Sequence, residues 1–195
     1  MAEPASSRQR ILEATYACIA RWGISKTTVE DAAREAQMSR ASVYRHFPGG
    51  RDELLAETIS WEELRFFGRL YDELHDAPTL VEVLERGLPF AHKAIVGHEV
   101  LQRVLQTEPG LLLPKLTVDV TRVTALIKAF LVPYLEREKL SEGVELHEAA
   151  DFLARMVLSY ITSPGSWDLD DPAQVATLVR GELLAGVLST PVAPA

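Results

Sequence analysis

This chain has one cysteine, Cys18, in 195 residues, so no disulfide can form within it. It has no apolar run of about eighteen residues, and so no candidate membrane-spanning helix. Its opening, MAEPASSRQR, lacks an apolar segment and shows no signal peptide. These absences lead us to expect a cytoplasmic protein, with Cys18 as a small core residue in a reducing compartment. Strand-like alternation of apolar and polar residues is missing, as are internal repeats. So are a nucleophile–base pair, metal-ligand spacing and a phosphate-cradling Gly-rich loop, which argues against an enzyme and implies no cofactor. His92 and His98 are six residues apart, off one helical face, and no cysteine or carboxylate cluster completes a metal site. Asp168, Asp170 and Asp171 read as helix-capping and solvated residues.

What is present is helical periodicity, with ordinary hydrophobic (47%) and charged (25%) contents, so the expected class is all-α and globular. The charge is uneven. Residues 1–55 hold eight Lys or Arg and seven Asp or Glu, a balance of +1; the rest carries −9 of the net −8. Local potential governs nucleic-acid binding, so the chain total does not exclude it.

The segment Thr28–Phe47, TVEDAAREAQMSRASVYRHF, is the most informative stretch. Thr28 and Asp31 have capping-box spacing, and Ala32, Ala33 and Ala36 give the helix near 29–36 a small-residue face. Ser39 can cap a helix near 40–46, with Val43 and Phe47 pointing inward. That leaves Arg40, Ser42, Tyr44, Arg45 and His46 for the other side, a composition suited to the DNA major groove. A helix over 7–22, with Ile11, Thr15, Cys18, Ile19 and Trp22 inward, completes a three-helix head.

This pattern resembles the N-terminal DNA-binding domain of the TetR family of bacterial transcriptional regulators. The matching residues are Thr28, Val29, Ala33, Ala36, Ser39, Val43, Tyr44, His46, Phe47, Glu53 and Leu54. The resemblance implies a helix-turn-helix DNA-binding domain over 1–55 and an effector-binding and dimerisation domain over 56–195. It implies base contacts from Arg40 and Ser42, and phosphate contacts from Tyr44 and His46. Arg45 serves either purpose. Thr28 and Ser39 sit at helix starts, while Lys26 and Arg51 stand at the rim. Two departures stand out. Gln37 occupies an inter-helix turn where the family favours glycine, and Pro48-Gly49-Gly50-Arg51 is one residue longer than the usual link.

Beyond the head, we expect helices near 51–75, 79–96 with a kink at Pro89, 99–107, 111–140 with a bend at Pro133, 146–163 and 172–188. A loop is expected at Glu108-Pro109-Gly110. The resemblance implies a small-molecule effector, and the apolar candidates are Phe66, Phe67, Leu70, Phe90, Leu101, Leu105, Phe130, Tyr134, Phe152, Met156 and Trp167. His92, His98, Gln102 and Gln106 are candidates for polar contacts. A homodimer through the last two helices is implied, with Phe152, Val175, Leu178, Val179, Gly181, Leu183, Ala185 and Val187 at its interface. The tracts RHFPGGRDELL and QTEPGLLLPKL resemble actinobacterial members that govern lipid metabolism or efflux. The expectation is therefore a repressor released from a pseudo-palindromic operator by a hydrophobic ligand. The competing reading is a helical ligand-binding or protein-interaction bundle without DNA binding.

Overall fold

The computed structural model describes residues 6–189 and, among these, the side chains of all but 111–119. The tail from Pro191, expected to fray, and the Leu116 side chain, expected to face inward, lie outside the described residues. Nine α-helices are described: α1 Ser7–Trp22, α2 Val29–Glu35, α3 Arg40–His46, α4 Gly50–Leu74, α5 Leu80–Val96, α6 Glu99–Thr107, α7 Pro109–Leu135, α8 Leu146–Thr162 and α9 Pro172–Leu178. A π-helical turn, Val179–Leu183, follows directly. Among the described residues the only β-type pairing is an isolated antiparallel bridge between Leu140 and Leu188.

The chain forms two compact units. One comprises residues up to Gly68 with His98–Pro114; the other comprises Arg69–Gly97 and residues from Lys115 on.

In the first unit, local chemistry sets each helix end. The Ser6 hydroxyl accepts from the Gln9 N–H, and Gly23, at φ 86°, ends α1. Thr28 and Asp31 form the reciprocal capping box, and Ser39 accepts from the Ser42 N–H. The core beneath is Ile11, Leu12, Ala14, Val29, Ala32, Ala33, Ala36, Val43, Phe47 and Leu54. The alanines let α2 lie close to α1. Cys18 is fully buried, and burial, reinforced by the Glu35 and Asp31 charges, pushes its thiol up to about 11. Trp22 is not a core residue: α1 ends there, the stripe stops at Ile19, and the ring is 42% exposed.

The turn between α2 and α3 forms although its glycine is absent. Gln37 adopts φ 56°, the one non-glycine residue with positive φ among those described. Its N–H donates to Arg34 O (3.1 Å), and the Met38 N–H donates to Ala33 O (2.9 Å). These bonds satisfy the last carbonyls of α2, and Met38 packs on the core. A non-glycine residue in this region costs roughly 1–2 kcal/mol, which the turn bonds and Met38 packing offset.

In the second unit, α5 packs on α8, where Ala149, Ala150 and Ala154 are buried beside Leu153 and Val157. The Thr79 hydroxyl caps α5, which passes through Pro89 unbroken. Asp171 caps α9, with Pro172 as its first residue. Three boundaries differ from the sequence reading. Pro109 and Gly110 are helical because a proline needs no N–H partner at a helix start. Helix α7 ends at Leu135, not 140. The last helix does not reach 188. Its α-helical ladder widens at Val179, and Gly186, at φ 79°, turns the chain back. Ser141 N–H then donates to Val187 O, and Ser189 N–H to Lys139 O, both at 2.9 Å. Among the described residues no helix is long and apolar enough to cross a membrane.

Candidate nucleic-acid interface

Helix α3 has seven residues, of which only Val43 is buried; Phe47, at its C-cap, is buried too. These two anchors fix the helix against the core, each contributing about 1.5–3 kcal/mol by burial. The remaining positions are thereby turned outward. Arg40, Tyr44 (38% exposed) and Arg45 are exposed, Ser42 and His46 half-buried. Arg40, Ser42, Tyr44, Arg45 and His46 thus share one short helix, where they were expected.

Their partners divide them. Among the described residues the Arg45 side chain has no ion pair or hydrogen bond, so its charge is unshared. Arg40 is different. Its Nη1 lies 2.8 Å from a carboxylate oxygen of Glu30 on α2. Its guanidinium carbon sits 5.4 Å from the Tyr44 ring centroid, and Nη2–H donates to the Tyr44 hydroxyl at 3.4 Å. The hydrogen bond to Tyr44, then the Glu30 charge, raise the already high Arg40 pKa. Ser42 and Ser39 share a hydroxyl contact of 3.0 Å. Thr28 is engaged in its cap: its hydroxyl donates to Asp31 at 2.6 Å. The hydrogen bond from Thr28 chiefly, with Arg34 assisting, holds the Asp31 carboxyl below its usual range.

The rim residues part company. Lys26 is exposed. Arg51 faces the backbone: Nε–H donates to Thr27 O (2.8 Å), and Nη2–H donates to Ile24 O (2.6 Å) and Ser25 O (3.2 Å). It therefore braces the turn that leads into α2.

That turn has a second brace, which sequence reasoning missed. The Glu108 carboxylate accepts from the Ile24 N–H (2.7 Å), the Ser25 N–H (3.2 Å) and the Ser25 hydroxyl. Burial alone would raise its pKa. The Ser25 hydroxyl, the two N–H groups and the Lys26 charge outweigh burial and hold it below the usual glutamate range. Arg103 adds a bond to Ala20 O at 2.6 Å.

Residues 11–58 match the family of bacterial regulatory proteins known as the tetR family. That family is one of regulators, not enzymes. No curated protein sequence matches the chain. Solved structures extend the likeness over the whole TetR-like fold. The fatty acid degradation regulator FadR of Bacillus halodurans is 17% identical, with 91% of this chain and 96% of that chain covered at TM-score 0.60. GusR of Salmonella enterica is 22% identical, with 96% and 98% covered at TM-score 0.63. A TetR-like regulator from Rhodococcus sp. RHA1 is 24% identical, with 95% and 100% covered at TM-score 0.52.

Beyond residue 58, the apolar effector candidates fall into both units. Phe66, Phe67, Leu101 and Leu105 lie in the first; Leu70, Phe90, Phe130, Tyr134, Phe152, Met156 and Trp167 lie in the second. All are half-buried except Phe152, which is 43% exposed. Phe66 and Phe67 meet edge to face at 5.3 Å, and the Phe130 and Tyr134 rings lie tilted at 5.6 Å. Two hollows of the second unit take little from this set. The larger, about 430 Å³, is lined by Lys128, His147, Glu148, Asp151, Phe152 and Arg155. The smaller, about 230 Å³, is lined by Glu85, Pro89, Lys93, Leu169, Asp170, Pro172 and Val175. His92 and His98 have structural partners. His92 Nδ1–H donates to Ile161 O at 2.7 Å, and His98 Nδ1 accepts from the Leu101 N–H at 3.0 Å. Among the described residues no group of three or more His, Cys, Asp or Glu is placed to hold a metal.

The dimer candidates divide by burial. Val175, Leu178, Val179, Leu183 and Val187 belong to the chain's own core, whereas Gly181, Ala185 and Phe152 are exposed.

Proposed function

We propose that this protein is a ligand-responsive transcriptional regulator that acts as a repressor in the cytoplasm. Residues 1–55 are its DNA-binding domain; 56–195 serve effector binding and dimerisation. One observation carries the reading: Arg40, Ser42, Tyr44 and Arg45 stand outward on a short helix anchored by Val43 and Phe47, within a segment that matches the tetR family. In this reading Arg40 and Ser42 meet base edges, and Tyr44, His46 and Arg45 meet phosphates, with Lys26, Thr28 and Ser39 beside them. Arg51 acts by holding the 24–27 turn. A homodimer sets two copies of α3 about 34–36 Å apart and reads a pseudo-palindrome.

The effector is a hydrophobic small molecule. The half-buried aromatic residues support this, as does the structural likeness to a regulator of fatty acid degradation. Binding releases DNA by favouring, through its differential affinity, the conformation that does not fit the operator. With most of the final apolar stripe in the core, dimerisation falls to exposed positions on α8 and the chain end, Phe152, Gly181 and Ala185 among them.

The test is selection from a random duplex library, followed by binding at two salt concentrations with and without fatty acids, acyl-CoA thioesters and aromatic drugs. Enrichment of an inverted repeat, with salt-sensitive binding relieved by one ligand class, is the expected result. A protein that enriches no duplex is not a DNA-binding regulator.

A further inference from the structure

An arginine near DNA serves two kinds of acceptor. A phosphate attracts its charge at any sequence, while guanine O6 and N7 attract only its aligned N–H groups. The two outward arginines of α3 are built differently for this choice. Arg45 keeps an unshared charge. Arg40 lies 2.8 Å from Glu30, with its guanidinium over the Tyr44 ring, so the pair is neutral overall. A guanidinium has five N–H donors. The Tyr44 hydroxyl accepts from one and Glu30 holds the guanidinium as an ion pair, and the other N–H groups remain for neutral acceptors. Both partners are exposed, at 61% and 52%, so the pair can form or part without disturbing the core.

We propose that Glu30 is a specificity-determining residue: by neutralising Arg40 it makes that side chain a reader of base edges and a poor ligand for phosphate. The inference rests on the DNA-binding reading above. Attraction to any duplex then comes from Arg45 and Lys26, and discrimination from Arg40. The head needs this economy because its balance is only +1, so each unpaired cation weighs heavily in non-specific binding.

The experiment compares wild type, Glu30→Gln, Arg40→Ala and the double variant on the library-selected duplex and on a scrambled duplex of equal length, across a salt series. Glu30→Gln keeps the shape and removes the charge. It is expected to bind the scrambled duplex about three- to tenfold more tightly at low salt, with a salt slope steeper by about one. The ratio of selected to scrambled affinity falls by a similar factor, and the preference at one base pair relaxes. In the Arg40→Ala background, Glu30→Gln leaves the ratio and the slope where they were. An unchanged ratio in Glu30→Gln overturns the inference. So does an equal shift in the Arg40→Ala background, since Glu30 would then act as a plain negative charge near DNA. If wild type selects no duplex, the DNA-binding reading fails and takes this inference with it; a selective wild type with an indifferent Glu30→Gln defeats the inference alone.

Discussion

Helices α3 and α9 are both seven residues long, both capped by a side chain at their start, and both expected to present a face to another molecule. They turn out unlike. Helix α3 buries one residue and leaves its polar ones exposed or half-buried, while α9 and the π-helical turn after it place Val175, Leu178, Val179 and Leu183 in the chain's own core. An apolar anchor opposite a polar face leaves the polar face no destination but the surface. An apolar stripe declares only that something covers it, and a single chain of this size has many helices able to do so.

The largest test of that contrast is Leu183→Glu. Leu183 is fully buried, so an unpaired charge there should cost more than about 4 kcal/mol and unfold its unit, seen as loss of the cooperative thermal transition by circular dichroism. A variant that folds normally but halves its mass in light scattering would return this stripe to the dimer interface. Phe152→Glu, at an exposed site, should do the reverse: keep the melting temperature and weaken self-association. On α3, Arg40→Ala and Arg45→Ala should each cost roughly 1–3 kcal/mol of duplex binding with no change in melting. The Arg40 variant should relax one base preference, and the Arg45 variant should lower affinity for all sequences. Equal loss of preference in both would erase the division between them.

The turn that sets α3 offers a smaller effect. Gln37→Gly relieves the left-handed strain but adds freedom to the unfolded chain, so a net gain of about 0.5–1 kcal/mol is expected in urea titration. The smallest effect is in pH. Asp31 and Glu108 have carboxyls held below their usual ranges, so each stabilises the fold above its unfolded pKa of about 4 and stops doing so as pH falls through the lower folded value. Stability should therefore decline on acidification below about pH 4, and Glu108→Gln should flatten part of that decline.

How much was legible follows from the range of each interaction. Thr28, Ser39 and Asp171 are legible as caps because the group they bind is two or three residues away. The left-handed residue at Gln37 was foreshadowed only by the resemblance, which implies a glycine in that turn. Glu108 lies more than eighty residues from the Ser25 it braces, and nothing in its neighbourhood marks it. The resemblance implies only a rim position for Arg51, because sequence shows its charge but not the three carbonyls that engage its N–H groups. Trp22 follows the inward spacing of α1, yet the helix stops where the core ends. The last helix departs from its sequence pattern for a related reason: periodicity persists through Val187, but a widened turn and Gly186 redirect the backbone without breaking the pattern of apolar residues.

Cys18 has a consequence of another kind. Cys18 is fully buried in the α1 core, which pushes its thiol up and keeps the sulfur out of reach of peroxides and maleimides. The chain is in effect a cysteine-free background for labelling. A dye or spin label on a cysteine introduced at any exposed site should report from that site alone, with the native sulfur left in place.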